Sequence, residues 1–136
     1  MGKHELDMRQ YGSRYYRTRT IRNITVLAER ILAELPPAGT ELMPAGAEFS
    51  IHVVGDVLLQ VQVGGLRDGF TFLDLISRSY SRHATELIAL LIRIMDGYNW
   101  WNPGDLTDRR FFTSVYLLAE SEYRGGYWSP GVIAVF

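Results

Sequence analysis

Apolar positions recur along this chain with two different periods. In "TIRNITVLAERILAEL", residues 20–35, Ile21, Ile24, Ala28, Ile31 and Leu35 fall three or four apart, with Leu27 and Leu32 beside them. That spacing is one stripe of an amphipathic helix, and Arg19, Arg22, Glu29 and Arg30 take the opposite side. The helix is expected to begin near Thr18 to Thr20, where a threonine hydroxyl would accept from its free amides. Pro36-Pro37 should end it, since proline has no amide hydrogen to continue the ladder.

The period then shortens to two. "AEFSIHVVGDVLLQVQVGGLRDGFTFLDL", residues 47–75, is rich in Val, Phe, Ile and Leu, and is punctuated by Gly55-Asp56 and Arg67-Asp68-Gly69. Such punctuation marks hairpin turns, so three antiparallel strands are expected at about 48–54, 57–64 and 69–75. Val57, Leu59, Val61 and Val63 share one face, and Leu58, Gln60 and Gln62 the other. One face is therefore core and the other partly wet.

"SRHATELIALLIRIMDG", residues 81–97, is apolar nearly all round, with Glu86, Ala89, Arg93 and Asp96 as a narrow polar strip. It reads as a central buried helix capped by Ser81 and stopped by Gly97. "NPGD", residues 102–105, has the Pro-Gly order of a tight turn. Residues 105–124 admit two readings. As a helix they gather Phe111, Phe112, Val115, Leu118, Ala119 and Tyr123 on one face, with Asp105 as cap and Gly125 as stop. As a strand their Phe, Val, Tyr and Thr content fits, but apolar and polar residues do not alternate. The helix is the preferred reading, and "GVIAVF" closes the chain as a strand.

These elements predict an α+β domain in the order αβββααβ: a small antiparallel sheet, a three-stranded meander plus the C-terminal strand, packed against two or three helices. At 136 residues the chain is long enough for one core, and 47% hydrophobic with 21% charged residues is ordinary for a soluble globule. No cysteine is present, which excludes disulfides, thiolate zinc sites and cysteine nucleophiles. The first ten residues have no apolar stretch of the kind a secretory signal needs. The longest apolar run, Leu87 to Ile92, is far short of the roughly 20 residues of a spanning helix. A cytoplasmic protein without a membrane partner is the expectation.

Charge changes this picture, because it is unevenly distributed. Residues 1–22 carry Lys3, Arg9, Arg14, Arg17, Arg19 and Arg22 against Glu5 and Asp7, whereas the remainder is acidic. "RQYGSRYYRTRTIR", residues 9–22, interleaves five arginines with Tyr11, Tyr15 and Tyr16. Residues 1–17 are expected to be a basic Arg/Tyr-rich arm, and residues 18–136 the domain proper. Arginine forks bind carboxylates or phosphates, and tyrosines cover apolar area or stack on bases. A second cluster, "GYNWW", brings Tyr98, Trp100 and Trp101 into one turn region, and Tyr127-Trp128 form another. Trp, Tyr and Arg dominate interface energetics because they bury much area with few rotatable bonds.

Arg9, Arg14, Tyr15, Tyr16, Arg17, Arg19, Arg22, Tyr98, Trp100 and Trp101 are thus the expected contacts to a partner. The first expectation is a non-enzymatic protein-binding or assembly module acting by occupying a partner's surface. Small inhibitors, immunity proteins and virion-assembly proteins of viral or mobile-element type have this outline. A basic segment on an acidic body also favours a homo-oligomer with head-to-tail contacts. The alternative is single-stranded nucleic-acid binding through the Arg/Tyr arm, against which stands the lack of a second basic stripe. The third is an enzyme using His83 and Glu86, three apart on a helix. No further ligand spacing accompanies that pair, and no GxGxxG, Walker or GxSxG pattern occurs, so no catalytic residue, cofactor or metal is assigned.

Overall fold

The computed structural model describes residues 8–40, 43–74, 76–123 and 131–135. The chain is mixed α+β. The centre is a four-stranded sheet in the order β8-β3-β2-β9, built from β2 (Glu48–Val54), β3 (Leu58–Gly64), β8 (Phe112–Leu117) and β9 (Gly131–Val135). β2 and β3 form the expected antiparallel hairpin, whose turn places Gly55 at φ 59° and Asp56 at φ 60°. Two consecutive left-handed residues are what a tight primed turn requires, and Gly followed by Asp tolerates it. The outer strands are parallel to their neighbours: β8 to β3, and β9 to β2.

Two helices cover one face. α1 (Ile24–Ala33) lies on β2 and β9, and α3 (Arg82–Asp96) on β8. Ile51, Val53, Leu59, Val61, Val63 and Leu117 point inward from the strands to meet Leu27, Ala28 and Ile31 of α1 and Leu87, Leu91 and Met95 of α3. Burying each large aliphatic contributes about 1.5–3 kcal/mol, which makes this layer the main source of stability. α3 starts at Ser81, whose Oγ accepts from the Ala84 amide at 3.1 Å. It ends at Gly97, whose amide reaches the Arg93 and Ile94 carbonyls at 3.1 Å.

Four sequence expectations are corrected, the first being the antiparallel sheet, since the C-terminal strand β9 and the other outer strand β8 both pair in parallel and the sheet is mixed. α1 begins at Ile24 rather than at Thr18 to Thr20, because the Asn23 side chain accepts from Thr25 at 2.9 Å and Val26 at 3.2 Å. The third meander strand over 69–75 does not form. Gly65, at φ +79° and where a Cβ would stand 2.1 Å from the Gly46 carbonyl oxygen, turns the chain off the sheet. A single helical turn, α2 (Asp68–Thr71), follows, and then β4 (Phe72–Asp74) pairs with β5 (Ser79–Tyr80) in a separate hairpin.

The helix preferred over 105–124 is replaced by β7 (Asp105–Arg109), β8 and a short α4 (Glu120–Tyr123). Asp105 is no helix cap: its Oδ1 accepts from the Thr107 amide at 3.1 Å, a local turn that starts β7. The β8 side chains do obey a two-residue period. Thr113, Val115 and Leu117 take the core side, and Phe112, Ser114 and Tyr116 the other. Residues 8–17 of the expected arm are packed on the domain. β1 (Gln10–Tyr11) joins β6 (Trp100–Asn102) and β7 in a second sheet, β1-β6-β7, with the expected NPGD turn between β6 and β7. Residues 1–7 of the expected arm, and Tyr127 and Trp128, lie outside the described residues.

Candidate functional site

The Arg/Tyr segment crosses the C-terminal end of α3 and is bonded to the body along its length. Gln10 and Tyr11 stand opposite Trp101 and Trp100 in the β1/β6 ladder. The Gly12 amide donates to the Asn99 carbonyl, and the Arg14 amide to the Gly97 carbonyl, both at 2.8 Å. The passage demands glycine at position 12, where a Cβ would stand 2.2 Å from the Asp96 carbonyl oxygen. A 3-10 turn over Tyr15–Arg17 then carries the chain to the buried Thr18.

Arg110 locks this path. Its Nη1 donates to Thr18 Oγ1 at 2.9 Å and to the Tyr98 carbonyl at 2.7 Å. Its Nη2 donates to the carbonyls of Thr18 at 2.5 Å and Ile21 at 3.0 Å. The guanidinium also lies 5.0 Å from the Tyr15 ring centre. Burial pulls its pKa below the ordinary arginine value, with the Tyr15 hydroxyl acting against the shift. An arginine retains its charge through such a change, since its reference value is so high.

Several of the expected contact residues are engaged within the molecule. Arg9 stacks 3.7 Å above the Trp100 ring and lies 3.6 Å from the Asp108 carboxylate. Arg17 and Arg30 lie 3.8 and 3.7 Å from Glu34. Tyr98 is fully buried and donates its hydroxyl to Glu34, so it belongs to the core rather than to a contact surface. Burial raises the Tyr98 pKa, reinforced by Glu34 and opposed by Arg14, which also hydrogen-bonds the phenol. The ring therefore stays protonated at neutral pH.

Tyr16, 65% exposed, Arg19 and Arg22 face outward, and Arg14 is exposed as well although it hydrogen-bonds the Tyr98 phenol. Arg19 and Arg22 make no hydrogen bond or ion pair among the described residues. Trp100 and Trp101 are half-buried in β6. Trp101 forms one wall of a shallow, mainly apolar groove of about 640 Å³, together with Tyr11, Ala89, Ile92, Arg93 and Gly97. Arg14 and Arg93 line an adjoining hollow, which puts two exposed cations at one rim. Asp96 also borders the groove, but its Oδ1 accepts from the Asn99 side chain at 3.1 Å.

Trp101 is one of the contact residues expected from the sequence, and Ile92 and Arg93, which line the same groove, are not. Their helical stripe was read as core and solvent, and only the docked segment turns that end of α3 into a groove. A second cleft, of about 430 Å³, opens at the start of α1 between Arg22, Asp56 and Arg110. Its most buried cation is already committed to carbonyls.

The His83 and Glu86 pair is not assembled into a site. His83 is exposed and stacks on Phe70 with ring centres 5.6 Å apart, and Glu86 accepts from Arg82 at 3.3 Å. Among the described residues no three His, Asp or Glu side chains are grouped to hold a metal ion. No helix among them is long and apolar enough to cross a membrane. The chain matches no protein-family model, no curated protein and no solved structure.

Proposed function

We propose that this chain is a non-enzymatic protein-recognition or assembly module whose contact face is the docked Arg/Tyr segment together with the Trp101 groove. The observation that carries the reading is the pairing of β1 with β6 beside that groove. It holds Tyr11, Arg14 and Tyr16 in fixed places, so little ordering entropy is lost when a partner arrives. Arg14, Arg19, Arg22 and Arg93 select for an acidic surface, and the groove accepts one aliphatic anchor. Affinity capture with the full chain tests the reading, with nuclease treatment and with Arg93→Glu as the control. A protein retained through nuclease treatment and lost with R93E supports it. Loss of the bound protein on nuclease treatment would refute it.

The exposed ring of Tyr16 and the exposed Arg19, which has no ion pair among the described residues, favour a second reading, single-stranded nucleic-acid binding. Titration with a thymidine oligonucleotide tests it, since phosphate contacts weaken steeply as salt rises. Absence of binding at low salt would remove that reading.

A further inference from the structure

Among the described residues the two most exposed large aliphatic side chains are both on the β4/β5 hairpin: Leu73 is 78% exposed and Ile76 is 97% exposed. Ordinary solvated loops do not hold such residues rigidly, yet this hairpin is anchored at its base. Arg78, in a left-handed conformation at φ 56°, donates to Glu122 at 2.6 Å and to the Leu117 carbonyl at 2.8 Å. Its guanidinium also lies 5.0 Å from the Phe72 ring centre and 4.6 Å from that of Tyr116. Asp74, itself exposed, accepts from the Ile76 amide through Oδ1 at 3.0 Å.

The hairpin thus offers what the Trp101 groove lacks: an aliphatic knob with one carboxylate, against an apolar groove with Arg93 and Arg14 at its rim. The knob precedes the first turn of α3 and the groove flanks the last turns, roughly 15 Å further along the helix. A knob cannot reach the groove of its own chain across that distance. Building on the module reading above, we propose that the partner is a second copy of this chain, with Leu73 and Ile76 of one copy seated in the Tyr11/Ile92/Trp101 groove of the next and Asp74 facing Arg93. Because knob and groove are different surfaces, the contact is heterologous and propagates into a ring or a filament. An interface this small is expected to be weak, so association should appear from about 10 µM upward.

Analytical ultracentrifugation of the full chain over a concentration series tests this with two variants at exposed positions. Ile76→Asp removes the knob and leaves the groove, and Ala89→Arg blocks the groove and leaves the knob. Wild type should self-associate, each variant alone should weaken at least about thirty-fold, and their equimolar mixture should stop at a one-to-one dimer. Leu73→Asp and Arg93→Glu repeat the test should either first variant misfold. A wild type that stays monomeric, a variant that associates like wild type, or a mixture that stays monomeric would overturn the proposal. A monomeric wild type that still captures a foreign protein through Arg93 would remove the second copy and leave the module reading standing.

Discussion

Replacing Arg110 by methionine removes the lock between the Arg/Tyr segment and the domain while keeping side-chain length. Four hydrogen bonds go, and the carbonyls of Thr18, Ile21 and Tyr98 lose a donor. Each buried acceptor left unpaired costs about 1–3 kcal/mol, and water reaches this half-exposed site, so the lower end applies: about 3 kcal/mol in all. Relief from desolvating a guanidinium returns a fraction of that, which leaves about 2–3 kcal/mol. For a chain of this size, about 3 °C of melting temperature accompanies each kcal/mol, so Arg110→Met should melt about 6–9 °C below wild type. Amide exchange should locate the effect. Gly12 and Arg14, whose amides bond the Asn99 and Gly97 carbonyls just past α3, should exchange much faster in the variant, while Leu91 in the core changes only with global stability. Arg110→Lys should recover little, since an ammonium cannot span the same acceptors. A melting temperature within about 1 °C of wild type, with Gly12 still protected, would refute the assignment of Arg110 as the lock.

Gly12→Ala should be costly by a different route, about 3 kcal/mol, because the new methyl meets the backbone carbonyls of Asp96 and Gly97 at 2.2 and 2.4 Å. Chemical denaturation measures it, and a neutral result would mean that the segment does not pass where described. Asn99 is buried and its side chain accepts from the Trp100 and Phe111 amides while donating to the Phe111 carbonyl. Asn99→Ala therefore leaves both Phe111 backbone groups unpaired and should lose about 3 kcal/mol by the same assay. His52 gives a pH dependence. Burial holds its pKa below the ordinary value, against a hydrogen bond that the ring donates to Gln62. The unfolded chain then takes up the proton first as pH falls, so the stability contributed by neutral His52 is complete above about pH 6.5 and is lost toward the lower folded value. The melting-temperature advantage of wild type over His52→Gln should shrink between about pH 7.5 and pH 5, and a constant or growing advantage would contradict the burial of this ring.

Local signals made α3 and the β2/β3 hairpin legible. Ser81, Gly97 and the Gly55-Asp56 turn are punctuation whose meaning depends on a few neighbouring residues. β8 was hidden because the strand carries large side chains on both faces: Val115 and Leu117 inward, Phe112 and Tyr116 outward. Alternation fails as a signal when the outward face is aromatic. The over-long first helix has a similar cause, since Thr18 and Ile21 fit a helical stripe but are held by Arg110, about ninety positions later. The charge pattern marked the Arg/Tyr segment without showing where it docks. Asp108, Glu34 and the Trp100 ring, which take up much of its positive charge, are distant in sequence. Leu73 falls within the strand expected over 69–75, and the turn at Gly65 takes that segment off the central sheet.

The contact face exists only if the Arg/Tyr segment is part of the folded body, and backbone ¹⁵N relaxation measures that directly. Order parameters at Gly12, Arg14 and Thr18 should equal those of α3, about 0.85. Values below about 0.6 from Met8 through Thr18, with α3 rigid, would show a free tail and contradict the account.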